Sequence, residues 1–193
     1  MRKLFFVLLA LSVTGTAQTK WGMDRTHSYV NFSVAHMMIS DVTGTFNQFD
    51  TQVESSKDDF IDAKIVVTIN AKTIDTGNEI RDKHLRSADF FNTDTDSIVT
   101  FKSTKVEKLS ETKYKIIGDL TMRGVTKSVT LDAAYKGKIK GYKGMIAAFK
   151  ASTVINRKEW GLNWNSAIEA GGFLVGDNVE LTIAVELVQN NNS

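Results

Sequence analysis

Thr73 to Phe101 reads TIDTGNEIRDKHLRSADFFNTDTDSIVTF, the one long stretch of this chain with neither strand alternation nor the composition of a tight turn. Ile80 and His84, Arg81 and Leu85, and His84 and Ala88 are each four apart, a spacing that makes side-chain neighbours on a helix and predicts one short helix over 78–87. A connection this long inside an all-β domain is usually a lid, a binding loop or disorder. Adjacent Phe90 and Phe91 argue against disorder, because paired aromatics need an apolar surface to rest on. Two readings stay open from the residues: a lid or plug over a β-structure, or a helix that covers an open sheet edge.

Outward from this segment the chain alternates with period two. In YVNFSVAH, Val30, Phe32, Val34 and His36 share one face, and Tyr29, Asn31, Ser33 and Ala35 the other, the pattern of a half-buried strand. A second strand is expected over Val42 to Val53, bending at Gly44 or Asp50, and a third carries Ala63, Ile65, Val67 and Ile69. Beyond the helical segment, Ile98 to Val106 and Tyr114 to Met122 form a hairpin. The turn MRGVTK then leads to Val129, Leu131, Ala133 and Tyr135. Gly137 to Gly144 reads as the turn into Met145 to Ile155, and Val179 to Leu187 closes the series. Eight sequential strands with mostly short connections favour an antiparallel, lipocalin-like barrel, whose interior is either packed or holds one small ligand. A β-sandwich is the rival, with more regular turn spacing and no need of the helical insert.

The first residues stand apart. Arg2 and Lys3, the apolar run Leu4 to Val13 and the small residues Gly15-Thr16-Ala17 read as a signal peptide over 1–17, followed by a single domain over 18–193. Ten apolar residues are too few to span a bilayer, which takes about 20, and export implies a periplasmic or secreted location. Without Arg2 and Lys3 the 24 Lys and Arg residues become 22, against 22 Asp and Glu. A balanced charge offers no general attraction for nucleic acid or an anionic membrane. The chain has no cysteine and no proline, so burial and backbone pairing must hold the fold together without disulfides. The terminal Gln189 to Ser193 is polar and expected to fray.

Few residues suggest catalysis. His27 and His36 are nine apart and point to opposite sides of a continuous strand. His36 and His84 could meet at a barrel mouth, but two imidazoles without a third ligand make a weak metal signal, and no metal is expected. There is no GxSxG elbow and no nucleophilic cysteine. Gly124 to Ser128 ends like a phosphate loop but lacks its first glycine, and reads as a β-turn. Trp160, Trp164, Phe173, Met37 and Met38 suit either the rim of an opening or ordinary core.

Several stretches together resemble the YceI-like family of exported bacterial proteins: Trp21-Gly-Met-Asp24-Arg-Thr-His27-Ser28, His36, Gly44-Thr-Phe46, Arg81 through Phe91, Thr100-Phe101-Lys-Ser103, Gly118-Asp-Leu-Thr121 with Gly124-Val-Thr-Lys127, and Ile155-Asn-Arg157 with Trp160-Gly161-Leu162. The resemblance covers essentially the whole chain after the leader. It implies an eight-stranded antiparallel lipocalin-like barrel that binds a polyisoprenoid, isoprenoid quinone or similar chain, as a homodimer, with no cofactor beyond that lipid and no enzymatic activity. It points to His36, Arg81, His84 and Asp89 as mouth or headgroup candidates and to Phe32, Phe91 and Phe101 as lining candidates. Where the family commonly has Tyr-Pro before the strand at Thr100, this chain has Asp96-Ser97, which predicts a looser exit from the lid. A lipid-modifying enzyme with His36 or His84 as base, and a structural module with a filled barrel, are the alternatives. If the leader is cleaved as it reads, the mature protein isolated from its host begins at Gln18. An N-terminal sequence starting at Met1 would contradict this.

Overall fold

The computed structural model describes residues 18–142, 144–167 and 171–190, so the segment 1–17 expected to be a signal peptide and the last three residues of the tail lie outside the described residues. Alternation becomes strand wherever it was read, but three of the strands are bent. β1 (Thr19–Met23) and β2 (Tyr29–His36) are two arms of one strand position. β3 (Ser40–Phe46) and β4 (Phe49–Ser55) form a second, and β5 (Lys64–Asn70) and β6 (Ile74–Asp75) a third. The register shows this: β2 pairs with β3 and β1 with β4 along a single antiparallel hairpin, while β6 pairs with β3 and β5 with β4. The break in the second position falls at Asn47 and Gln48, where strand pairing lapses, and not at Gly44 or Asp50.

The remaining positions are β7 (Ile98–Lys108), β8 (Lys113–Met122), β9 (Val125–Lys140), β10 (Met145–Asn156) and β11 (Val175–Gln189). Each pairs antiparallel with the next, and β11 returns to the first position by pairing with both β1 and β2. Eight strand positions therefore close into an antiparallel barrel. Closure removes the open edge that the helix might have covered, so the helical segment lies over the end of a barrel.

Local chemistry explains the bends. Asp24, Asn70 and Asn156 each begin a single 3-10 turn, their side chains accepting the backbone N–H two residues on at 2.8, 3.1 and 3.0 Å, as short polar side chains do at helix starts and turns. Arg123 and Gly124 both have positive φ, 52° and 71°, which gives the tight β8–β9 hairpin a twist that matches its strands. Gly137, expected in a turn, instead lies within β9 at φ 127°, beside the register shift opposite Ala148 and Phe149. It serves a bulge that bends the strand.

The interior is apolar from end to end. One cluster, with Phe46, Phe90, Trp160 and Leu162, lies toward the helical segment, and a second, with Trp21, Phe60 and Leu187, lies toward the other end. Phe60 is the plug of that second end. It is 4% exposed and stacks on Trp21, Tyr135 and Phe149 at centroid distances of 5.2 to 6.3 Å. Its φ of 58° is uncommon for a bulky residue and costs about 1–3 kcal/mol, offset by burial of the ring.

Asp62 fastens the plug loop. It accepts hydrogen bonds from Ser55 Oγ and Ser56 Oγ and from the backbone N–H of Ser56 and Lys57, and the two serine hydroxyls, foremost, hold its carboxyl well below the usual carboxylate range. A group with a depressed folded-state pKa contributes fully above its unfolded value of about 3.9 and loses that contribution as pH falls toward the folded value. The melting temperature should therefore drop as pH is lowered through about 4 and below, and Asp62→Asn should fall less steeply over the same window. Parallel curves would show that the Asp62 carboxylate does not couple the loop to pH.

Candidate functional site

The barrel encloses a cavity of about 220 Å³ that runs between the two clusters. Its wall is built from the inward face of nearly every strand. Among the described lining residues only Thr51, Tyr114, Thr153 and Arg157 carry a polar group. Tyr114 is already used: its hydroxyl donates to Asp59 O at 3.0 Å, and burial pushes the phenol up. An apolar tunnel of this kind is suited to a hydrocarbon chain, because apart from these few groups its wall offers a polar guest no hydrogen bonds to replace those it leaves in water.

The three aromatic lining candidates stand where expected: Phe32, Phe91 and Phe101 all face the cavity. Two of them lie over glycines of the neighbouring strand. A Cβ on Gly44 would sit 2.4 Å from the Phe32 ring and 2.9 Å from Asp75 O. A Cβ on Gly118 would sit 2.4 Å from the Phe101 ring and 2.5 Å from Lys102 O. Both glycines are thus the space in which a lining ring rests. Phe91 meets Phe46 edge to face at 5.8 Å, joining the helical segment to the wall.

That segment forms the lid. α1 (Glu79–Arg86) starts at Asn78, whose side chain accepts Arg81 N at 3.0 Å, and ends where Ser87 N and Oγ donate to His84 O. Beneath it Leu85, Phe90 and Phe91 close the cavity, and Arg123 Nη1 reaches across to donate to Phe90 O at 2.6 Å and Gly161 O at 3.0 Å. The exit is not loose for want of the Tyr-Pro pair. Asp96 N donates to Asn92 O at 3.1 Å and Ala71 N to Ser97 O at 2.8 Å, so backbone bonds tie it down.

The polar candidates are placed differently, and among the described residues His36, Arg81, His84 and Asp89 do not line the cavity. Arg81 is spent within the lid, donating from Nε to Thr76 Oγ1 at 2.8 Å and from Nη2 to Thr76 O at 3.0 Å. His84 Nε2 and Asp89 Oδ2 are 3.0 Å apart, and the His84 ring stands edge-on to Phe90 and Trp164. The pair braces the lid from within, and the His84 ring packs it against Trp164. His36 lies half-buried at the end of β2, one alternation beyond Val34 and past the cavity wall. Trp160 is core, 1% exposed, with its indole N–H donated to Leu120 O at 3.1 Å, whereas Met37, Met38 and Phe173 are partly exposed.

His27 does not meet His36. Its Nδ1 lies 3.2 Å from Asp24 Oδ2 and 3.8 Å from Glu186 Oε1, a grouping whose three donor atoms fall within 4.8 Å. Hydrogen bonds from Thr26, foremost, and His27 hold the Asp24 carboxyl down at about 2. Glu186 comes from the far end of the sequence, so no spacing could have revealed this cluster. Sequence reasoning also missed the Phe60 plug and the burial of Arg157 against the cavity; an isolated arginine within INRKEW gives no local sign of which way it turns.

The chain matches the YceI-like domain over residues 21–187. A UPF0312 protein of Staphylococcus epidermidis is 37% identical over 175 residues, 90% of this chain and 99% of that one. The YCEI protein of Campylobacter jejuni superposes with a TM-score of 0.67 at 29% identity, covering 82% of this chain and 90% of that one. A polyisoprenoid binding domain from Saccharophagus degradans shares the fold at a TM-score of 0.63 and 13% identity, over 88% and 98% of the two chains. From the glycine geometry, Gly118→Ala should destabilise the fold by about 1–3 kcal/mol through overpacking against Phe101. Chemical denaturation would read this, and an unchanged midpoint would mean that the Phe101 ring and the Lys102 carbonyl both give way freely.

Proposed function

This chain belongs to the YceI-like family, and from that premise we propose that it is an exported binding or carrier protein that holds a long isoprenoid-type lipid inside the barrel. The observation that carries the reading is the continuous apolar cavity beneath a fastened lid. An unfilled cavity of about 220 Å³ costs about 5 kcal/mol at roughly 24 cal/mol per Å³. That is comparable with the whole stability of an ordinary domain, about 5–15 kcal/mol. A barrel meant only as a structural module would gain by filling this space with larger side chains. A barrel meant to take a guest recovers the cost when the guest enters.

Binding is favoured over chemistry by the wall itself. Among its described residues there is no histidine, carboxylate, lysine, serine or cysteine, and so no such base beside the hydroxyls of Thr51, Tyr114 and Thr153 to activate them. The polyisoprenoid binding domain that shares the fold supports an isoprenoid guest. In this reading His84, Asp89 and Arg81 act by holding the lid, and His36 marks the rim. Export to the periplasm or beyond, and assembly as a homodimer, belong to the same proposal. Each methylene withdrawn from water contributes about 0.8 kcal/mol, so affinity should climb steeply with chain length until the cavity is full and then level off.

Native mass spectrometry of protein purified from its own host should show a retained lipid, and titration of the stripped protein with prenols of increasing length should give that rise and plateau. A barrel isolated empty, with an affinity indifferent to chain length, would instead favour the module that binds nothing.

A further inference from the structure

Arg157 is the one charged side chain among the described residues that line the cavity, and it is only 4% exposed. It stands at the lid end, where β10 gives way to the 3-10 turn that carries Trp160. Its guanidinium donates from Nε to Gly176 O at 2.8 Å, from Nη1 to Leu162 O and from Nη2 to Val175 O at 3.4 Å. All three acceptors are neutral backbone carbonyls. They compensate the lost hydration of the cation without cancelling its charge. Three of its five N–H groups are thereby used.

The nearest carboxylate is a poor counterion. Asp177 Oδ1 is 3.8 Å from Nη2, and the same carboxylate is bonded to Lys158 Nζ at 2.8 Å. Two cations share one partly exposed anion, so the group as a whole keeps a positive charge beside an apolar tunnel. In such surroundings a charge acts strongly and salt screens it little.

We infer that Arg157 is the headgroup site of this cavity and that it selects a chain lipid ending in an anion, a phosphate or a carboxylate, with the anion at the lid end and the chain running toward Phe60. The inference rests on the chain-binding reading and adds the chemistry of the head. It also places the head inside the lid, away from the histidines at the rim. A purely structural Arg157, pinning Leu162, Val175 and Gly176 by their carbonyls, would give no preference for anionic guests.

The test compares dissociation constants of the stripped mature chain for geranylgeranyl monophosphate, geranylgeraniol and oleate. The phosphate should bind about tenfold or more tighter than the alcohol, the gain expected of a charge-assisted hydrogen bond, and the preference should persist at high salt. Arg157→Gln should bring that ratio close to one, and Asp177→Asn, which removes the competing carboxylate from a partly exposed position, should raise it severalfold. Oleate binding as tightly as the phosphate would mark a general anion site that accepts fatty acids, and weaker oleate binding would mark a phosphate site. Equal affinity for phosphate and alcohol in the parent chain, or a ratio unmoved by Asp177→Asn, overturns the inference while leaving chain binding intact. If Arg157→Gln does not fold, the parent ratio and Asp177→Asn decide. Failure of every probe to bind would overturn the chain-binding reading and this inference with it.

Discussion

Closing a ring of strands requires that the last one find a partner for its whole length, and here that demand falls on β11. Its fifteen residues pair with β2 through their N-terminal part and with β1 through their C-terminal part. The first strand can follow it only by bending at Asp24 to Ser28. Two hydrogen bonds fix that bend against β11: Asp24 N donates to Glu186 O at 2.8 Å and Glu186 N to Ser28 Oγ at 3.0 Å. Without them the strand would run straight, one half of β11 would lose its ladder, and the barrel would open along a seam. The Asp-Arg-Thr-His-Ser segment is therefore first of all a closure device.

Closure turns an apolar sheet face into an apolar tunnel, and a tunnel needs its ends stopped. The two stoppers are built on different principles. At the far end Phe60 is driven inward from a short loop, at the expense of a left-handed backbone, and is held by Asp62 and by Tyr114. At the near end a whole helix and its following loop lie across the opening, packed on the wall through Phe90 and Phe91, tied across by Arg123 and stiffened from within by Arg81 and the His84–Asp89 contact. A single ring wedged among three other aromatics is difficult to withdraw. The polar and backbone ties of the lid can exchange one partner for water at little net expense, whereas Leu85, Phe90 and Phe91 hold it to the apolar wall beneath.

The arginines show how one residue type serves opposite ends. Arg81 and Arg123 bind carbonyls and a hydroxyl to hold segments together, and both are only partly buried. Arg157 uses the same bonds but is enclosed against the cavity, where desolvation lowers its pKa. Its carbonyl partners keep the charge affordable, and the tunnel in front of it keeps the charge effective.

The sequence alone determined the eight alternating strand positions and the short helix over 78–87, because period and spacing are local properties that a strand or helix carries wherever it packs; the three lining rings were legible only through the resemblance to the YceI-like family. It required an apolar resting place for Phe90 and Phe91 but left open whether the helical segment lay over a β-structure as a lid or along a sheet edge, which closure of the barrel decided. What it could not reach were the residues whose meaning comes from distant partners. Glu186 meets His27 only through closure of the ring. Phe60 becomes a plug only because the other strands leave it a hole. His36, on the expected face, falls outside the cavity because the wall ends one alternation earlier. Arg157 turns inward because the carbonyls of Leu162, Val175 and Gly176 gather there to receive it. Those outcomes were decided by the tertiary structure, since burial and hydrogen-bond satisfaction are properties of the assembled surroundings and are written at no single position of the chain.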